Sequence, residues 1–143
     1  MRPFKHTKHM KYLASLLIVG FAFFATAQEG EEPMTGPRIS FTEKSFDFGE
    51  ITQGEKVEHV FEFENVGNEP LIISDIRTTC GCTAPEWPRE PIAPGKKSKV
   101  KVVFNSAGKM GMQNKVITVM SNAVNNPERV KIVTNVLPPD QKN

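Results

Sequence analysis

The amino-acid sequence predicts an all-β chain folded as an antiparallel sandwich. Three observations predict it: apolar and polar residues alternate with a period of two, turn-forming residues separate the alternating runs, and no segment after the first 27 residues sustains a helical period. Alternation points one set of side chains at a core and their neighbours at water, as antiparallel strands do. A lone open sheet would leave half of the phenylalanines and valines wet. Two sheets closing on each other are therefore expected, immunoglobulin-like, with about seven strands and Greek-key connections.

Taken in order, residues 1–27 read as a secretory leader. Arg2, Lys5, Lys8 and Lys11 form a basic opening, and Leu13 to Ala25 is a 13-residue apolar stretch broken only by Ser15 and Gly20. Ala25-Thr26-Ala27 then places small residues where signal peptidase needs them. The stretch is short for a membrane span. Cleavage would remove four basic residues and no acidic ones, taking Lys+Arg from 18 to 14 against 16 Asp+Glu, a formal charge of −2. Such a chain has no broad attraction for nucleic acid or anionic lipid, and no membrane span is expected after processing.

Residues 28–37 are polar, acidic and proline-bearing, a flexible lead-in to a single domain over 38–137, with 138–143 as a tail. Within the domain, Phe46 and Phe48 flank Asp47. Val57, His59, Phe61 and Phe63 alternate with Glu58, Val60, Glu62 and Glu64. Leu71 and Ile73 share one parity while Ile76 and Thr78 take the other, so a bulge is expected near Ser74-Asp75. Val100, Val102 and Phe104 alternate with Lys99, Lys101 and Val103; Ile117 and Val119 flank Thr118, and Val130 and Ile132 flank Lys131. Gln53-Gly54, Asn65 through Asn68, Pro94-Gly95, Ala107-Gly108 and Asn122 through Pro127 supply the turns.

From Thr83 to Gly95, Pro85, Pro88, Pro91 and Pro94 recur every third residue, the spacing of an extended, stiff polyproline II segment. Trp87, Arg89 and Glu90 lie within it as a candidate interaction loop. The competing reading makes Trp87 a lid on one end of the sandwich, which the usual burial of aromatic residues in small domains favours.

Cys80-Gly81-Cys82 holds both cysteines of the chain. In an extended strand residues i and i+2 lie roughly 6.6 Å apart, near the upper limit for a disulfide, so bridging requires a bend that Gly81 permits. Three readings stay open. The pair is structural, bridged or reduced; it is redox-active, since so small a loop adds little stability; or it holds a soft ion such as Cu(I), with Met110 and Met112 as possible thioether donors. Methionines leading into a strand more often pack on a neighbouring loop. His59, the only histidine after residue 27, stands on the inward parity of its strand, where a core or rim role is the common one.

Catalysis is not expected. No phosphate-cradling glycine loop, His-Glu-x-x-His pair or Gly-x-Ser-x-Gly elbow occurs, and no cofactor or resident metal is implied.

These residues carry a resemblance. Phe46-x-Phe48-Gly49-x-Ile51-x-x-Gly54, Phe61-x-Phe63-x-Asn65-x-Gly67, Pro70-Leu71, Cys80-Gly81-Cys82-Thr83, Pro94-Gly95, Gly111 and Ser121-Asn122 follow one another from about residue 39 to 136. In this order they resemble a family of secreted bacterial proteins of unknown function with a Hydin-like immunoglobulin fold, related in architecture to major sperm protein domains. The resemblance implies the sandwich and an exported location, and no established reaction. The expectation is an exported, non-enzymatic module, periplasmic or extracellular, that binds an envelope protein or glycan or supports the envelope. The alternative is a thiol-redox or copper-binding periplasmic protein built on Cys80 and Cys82.

Overall fold

Alternation resolves into two four-stranded sheets. The computed structural model describes residues 35–139. The leader assigned to 1–27, most of the lead-in and the last residues of the tail lie outside the described residues. The strands are β1 (Ile39–Phe41), β2 (Ser45–Thr52), β3 (Lys56–Asn65), β4 (Ile73–Thr78), β5 (Cys82–Glu86), β6 (Lys97–Asn105), β7 (Gly111–Ser121) and β8 (Glu128–Leu137). One sheet runs β1-β3-β6-β5 and the other β2-β8-β7-β4. Among the described residues no helix is long and apolar enough to cross a membrane.

The inward parity read from the sequence is the buried one. Phe61 and Phe63 of β3 and Val100, Val102 and Phe104 of β6 face Ile117 and Val119 of β7 and Val130 and Ile132 of β8 in one core. Phe61, Phe104, Ile117 and Val119 are wholly out of water. The bulge expected in β4 is present, its register against β7 shifting between Ile73 and Asp75.

Two details depart from the pattern. β2 runs parallel to β8, whereas every other ladder is antiparallel. The chain passes from β1 in one sheet to β2 in the other without reversing direction, and β2 then turns back into β3 through Gln53-Gly54. The proline-bearing stretch also begins as a strand. β5 pairs with β6 at Cys82, Thr83 and Glu86, and the register breaks between Thr83 and Glu86. Pro85 has no N–H to give a ladder, which confines it to an edge strand or a break, and β5 supplies both.

Among the described residues three polar ones are fully buried: Asn65, Ser106 and Thr134. Each bonds backbone groups of the connections or of the β2 bulge. Asn65 donates from Nδ2 to the carbonyls of Glu69 (2.8 Å) and Ile92 (2.9 Å), and its Oδ1 accepts from the N–H groups of Gly67 (3.1 Å) and Arg38 (3.3 Å). One side chain thus ties three connections together. At the other end of the domain the Ser106 hydroxyl lies within reach of the carbonyls of Thr52 (3.0 Å) and Glu55 (2.8 Å). Thr134 donates to the carbonyl of Gly49 at the bulge of β2, 2.8 Å away.

Two predictions follow from this packing. Phe61→Ala empties a position with no solvent exposure, and equilibrium denaturation should record a loss of about 3–5 kcal/mol. Asn65→Asp keeps the shape but cannot donate, leaving two carbonyls facing a carboxylate; a loss of about 2–4 kcal/mol is expected. A variant as stable as the parent would show that Asn65 does not tie the connections.

Candidate functional site

β4 and β5 belong to different sheets, so residues 79–81 carry the chain across the sandwich. Thr79-Cys80-Gly81-Cys82 forms a turn closed by the Cys82 N–H donating to the Thr79 carbonyl at 3.1 Å. Gly81, third in that turn, has φ +94°, a left-handed value that a type II turn requires there and that glycine takes without strain. A bridge across the pair would require such a bend, and the bend is present although the thiols are unbridged. The Asn105 N–H donates to the Gly81 carbonyl (2.9 Å), the Thr78 hydroxyl to the Cys82 carbonyl (2.8 Å), and the Thr79 N–H to Val116 (3.2 Å). The turn is fastened to the last residue of β6, to β7 and to the end of β4.

The bend separates what a strand would have aligned. Cys80 is exposed and Cys82 is buried, and the two thiols are unbridged. Burial pushes the Cys82 thiol up to about 11 from an ordinary 9.0; Lys115 works against that rise and the neighbouring Cys80 adds to it. Lys109 places Nζ 3.5 Å from Cys80 Sγ, an ammonium donor against the exposed sulfur. The Lys115 ammonium lies 5.9 Å from the centre of the Phe104 ring, and Phe104 is the cross-strand partner of Cys82. Two lysines thus flank the cysteine turn.

At the other end of β5, Glu86 pairs with Lys101 at 3.5 Å, and Lys101 also reaches Glu58 of β3 at 3.1 Å. Hydrogen bonding and attraction to Glu58 hold the Lys101 ammonium above its usual range, with Glu86 adding to it. Trp87 follows, half-buried and packed on the core. The Arg89 guanidinium stacks 3.4 Å from the centre of its ring, while Arg89 and Glu90 are exposed. Trp87 therefore serves partly as the lid and partly as the base of an exposed cation–π pair.

Other candidates lie elsewhere. His59 is stacked on Phe46 with centroids 3.6 Å apart, and its Nε2 lies 2.6 Å from Glu43. Phe48 and Phe61 stand edge-on to the same ring. This closes the margin between β2 and β3, a rim role in keeping with the inward parity. Met110 and Met112 do not pack on a loop: they are 51% and 70% exposed. Among the described residues no group of three or more His, Cys, Asp or Glu side chains converges as a metal site would need. Lys109 and Lys115 were not visible as site residues in the sequence, since only the pairing of β4 with β7 and of β5 with β6 brings them to the turn.

A family model described as protein of unknown function (DUF1573) matches residues 39–136. No curated protein sequence matches the chain. Similar solved structures include a protein of unknown function from Porphyromonas gingivalis, with TM-score 0.61 and 20% identity over 72% of this chain and 48% of that one. The ASH/PapD-like domain 7 of human CEP192 has TM-score 0.57 and 14% identity, covering 95% of this chain and 99% of that one. The SrpA adhesin from Streptococcus sanguinis has TM-score 0.50 and 13% identity, covering 76% and 62%. At these identities the likeness is one of fold, and it agrees with the immunoglobulin-like sandwich. The chain spans about half the length of the Porphyromonas protein.

The unequal burial of the cysteines gives a pH dependence. The folded chain keeps the Cys82 proton to about pH 11, whereas the unfolded chain releases it near 9.0. The stability this group contributes is complete below pH 9 and is lost as pH rises toward 11. Against a Cys82→Ala reference, denaturation between those values should record an additional loss of about 1–3 kcal/mol. An unchanged difference between the two chains would mean that Cys82 is not held protonated by burial.

Proposed function

Starting from the fact that the chain belongs to the DUF1573 family over residues 39–136, we propose that it is an exported, non-enzymatic immunoglobulin-like module that binds a protein or glycan of the cell envelope through the loop after β5. The observation that carries this is the Trp87–Arg89 stack at 3.4 Å. The indole rests on the core and its cation stands in water, so the pair is ordered before any partner arrives and loses little freedom on binding. Tryptophan and arginine are also the residue types on which interface energy concentrates. Pro88, Pro91 and Pro94 restrict the same loop, and the Lys101 ion pairs steady the strand that leads into it.

Export rests on the composition of residues 1–27, with periplasm or exterior as the destination. The resemblance to Hydin-like immunoglobulin domains, whose eukaryotic members are mostly scaffolding modules, points toward binding by analogy of fold. The adhesin among the similar folds does the same and assigns no ligand.

Two measurements test the reading. Sequencing the N-terminus of the chain recovered from an exported fraction should begin at Gln28; an intact Met1 would remove export by a cleaved leader. Crosslinking in intact cells should yield an adduct that falls about tenfold in Arg89→Ala, a loss on the scale of an interface anchor. Because Trp87→Ala also strips packing from the core, Glu90→Ala serves as the second surface variant. Adducts undiminished in both Arg89→Ala and Glu90→Ala would overturn the assignment of this loop.

A further inference from the structure

The Trp87 loop leaves the cysteine turn at the opposite end of β5 unaccounted for. We propose that Cys80 and Cys82 form a dithiol–disulfide exchange site for small disulfides, with Cys80 as the entering nucleophile and Cys82 as the resolving thiol. Four observations support it. The two cysteines stand two residues apart in one turn, closed by the Cys82 N–H on the Thr79 carbonyl at 3.1 Å with Gly81 at φ +94°, the kind of bend that a bridge across one residue requires. Only Cys80 is open to an approaching molecule, while Cys82 is buried. Lys109 holds an ammonium donor 3.5 Å from the exposed sulfur. The turn is also fixed in place by its hydrogen bonds to Asn105 and Val116.

A merely stabilising role fits poorly. A bridge across one residue closes so small a loop that it removes little entropy from the unfolded chain, and a structural pair has no use for one sulfur in water and a lysine upon it. Burial, which keeps the Cys82 proton in place, suits the thiol that acts second.

The exchange balances in two steps. The Cys80 sulfur, its proton released to solvent, attacks one sulfur of R–S–S–R; a Cys80–S bond forms, the R–S–S–R bond breaks, and one thiolate leaves and takes up a proton. Cys82 then loses its proton and attacks Cys80 Sγ; the Cys80–Cys82 bond forms and the second thiolate leaves to be protonated. Two protein thiols are oxidised by two electrons, and one disulfide is reduced to two thiols.

The reduced full-length chain, incubated with oxidised glutathione and followed by intact-mass spectrometry, tests this. The parent should lose two hydrogens without accumulating a glutathione adduct. Cys82→Ser should stop at the mixed disulfide on Cys80, and Cys80→Ser should react about tenfold more slowly or less, because its remaining thiol is buried. Lys109→Gln, which leaves the cysteines untouched, should slow the first step and not the second. A parent that accumulates a stable adduct, or single variants that react at equal rates, would overturn the proposal. So would a parent whose two thiols bind stoichiometric Cu(I) and are left unchanged by oxidised glutathione in its absence. Circular dichroism of each variant separates loss of exchange from loss of fold, and none of these readouts involves the Trp87 loop.

Discussion

The structure depends on one layer of apolar side chains from which water is excluded on both sides. Phe61, Phe63, Val100, Val102 and Phe104 supply one half, and Ile117, Val119, Val130, Ile132 and Val136 the other. Neither half is stable alone, because a four-stranded sheet of this length leaves its inner face wet. Burying a large apolar side chain contributes about 1.5–3 kcal/mol, and that gain is realised only when the sheets meet. The fold is thus a consequence of parity: the residues two apart along β3, β6, β7 and β8 must face inward together or the layer does not form.

Closing two sheets creates a second requirement at the ends, where the connections that cross the core's margin must be held to one another. Asn65 at one end and Ser106 at the other meet it with single buried side chains. Asn65 holds the connections before β1, after β3 and before β6. Ser106 holds the β2–β3 turn beside the β6–β7 connection that carries Lys109. The Lys109 N–H donates to the Ser106 carbonyl at 2.9 Å, so the lysine against Cys80 stands three residues from a buried, hydrogen-bonded anchor.

Much of this was legible in the sequence because period-two alternation is a local property. It fixed the inward set in β3, β6, β7 and β8, and the change of phase after Ile73 located the bulge in β4. That a bridge between Cys80 and Cys82 would need a bend at Gly81 was equally readable, since the reach of a disulfide and the rise of a strand are both fixed lengths. What could not be read depends on pairing between distant segments. Nothing local says that β2 lies parallel to β8, that residues 82–86 join a sheet edge, or that Lys109 and Lys115 converge on Cys80 and Cys82. The exposure of Met110 and Met112 carries no local signal either. His59 was placed correctly by parity, but its partner Glu43 comes from the connection between β1 and β2, which carries no periodic signal.

The cysteine turn and the core are not independent. A Cβ built on Gly81 would stand 3.2 Å from Phe104 Cε2, 3.3 Å from Lys109 Cε and 3.4 Å from the Asn105 carbonyl oxygen. Phe104 is fully buried and cannot yield without opening the layer it completes. The lysine stem alone has freedom to move, and it carries the ammonium that reaches Cys80. A side chain at Gly81 would therefore press on the core and displace the charge at once, on a backbone already in the left-handed region. Glycine is required at this position by its neighbours as well as by its own dihedral. Cys82, paired across the strands with Phe104, joins the core, while Cys80 stands exposed with its sulfur 3.5 Å from Lys109 Nζ.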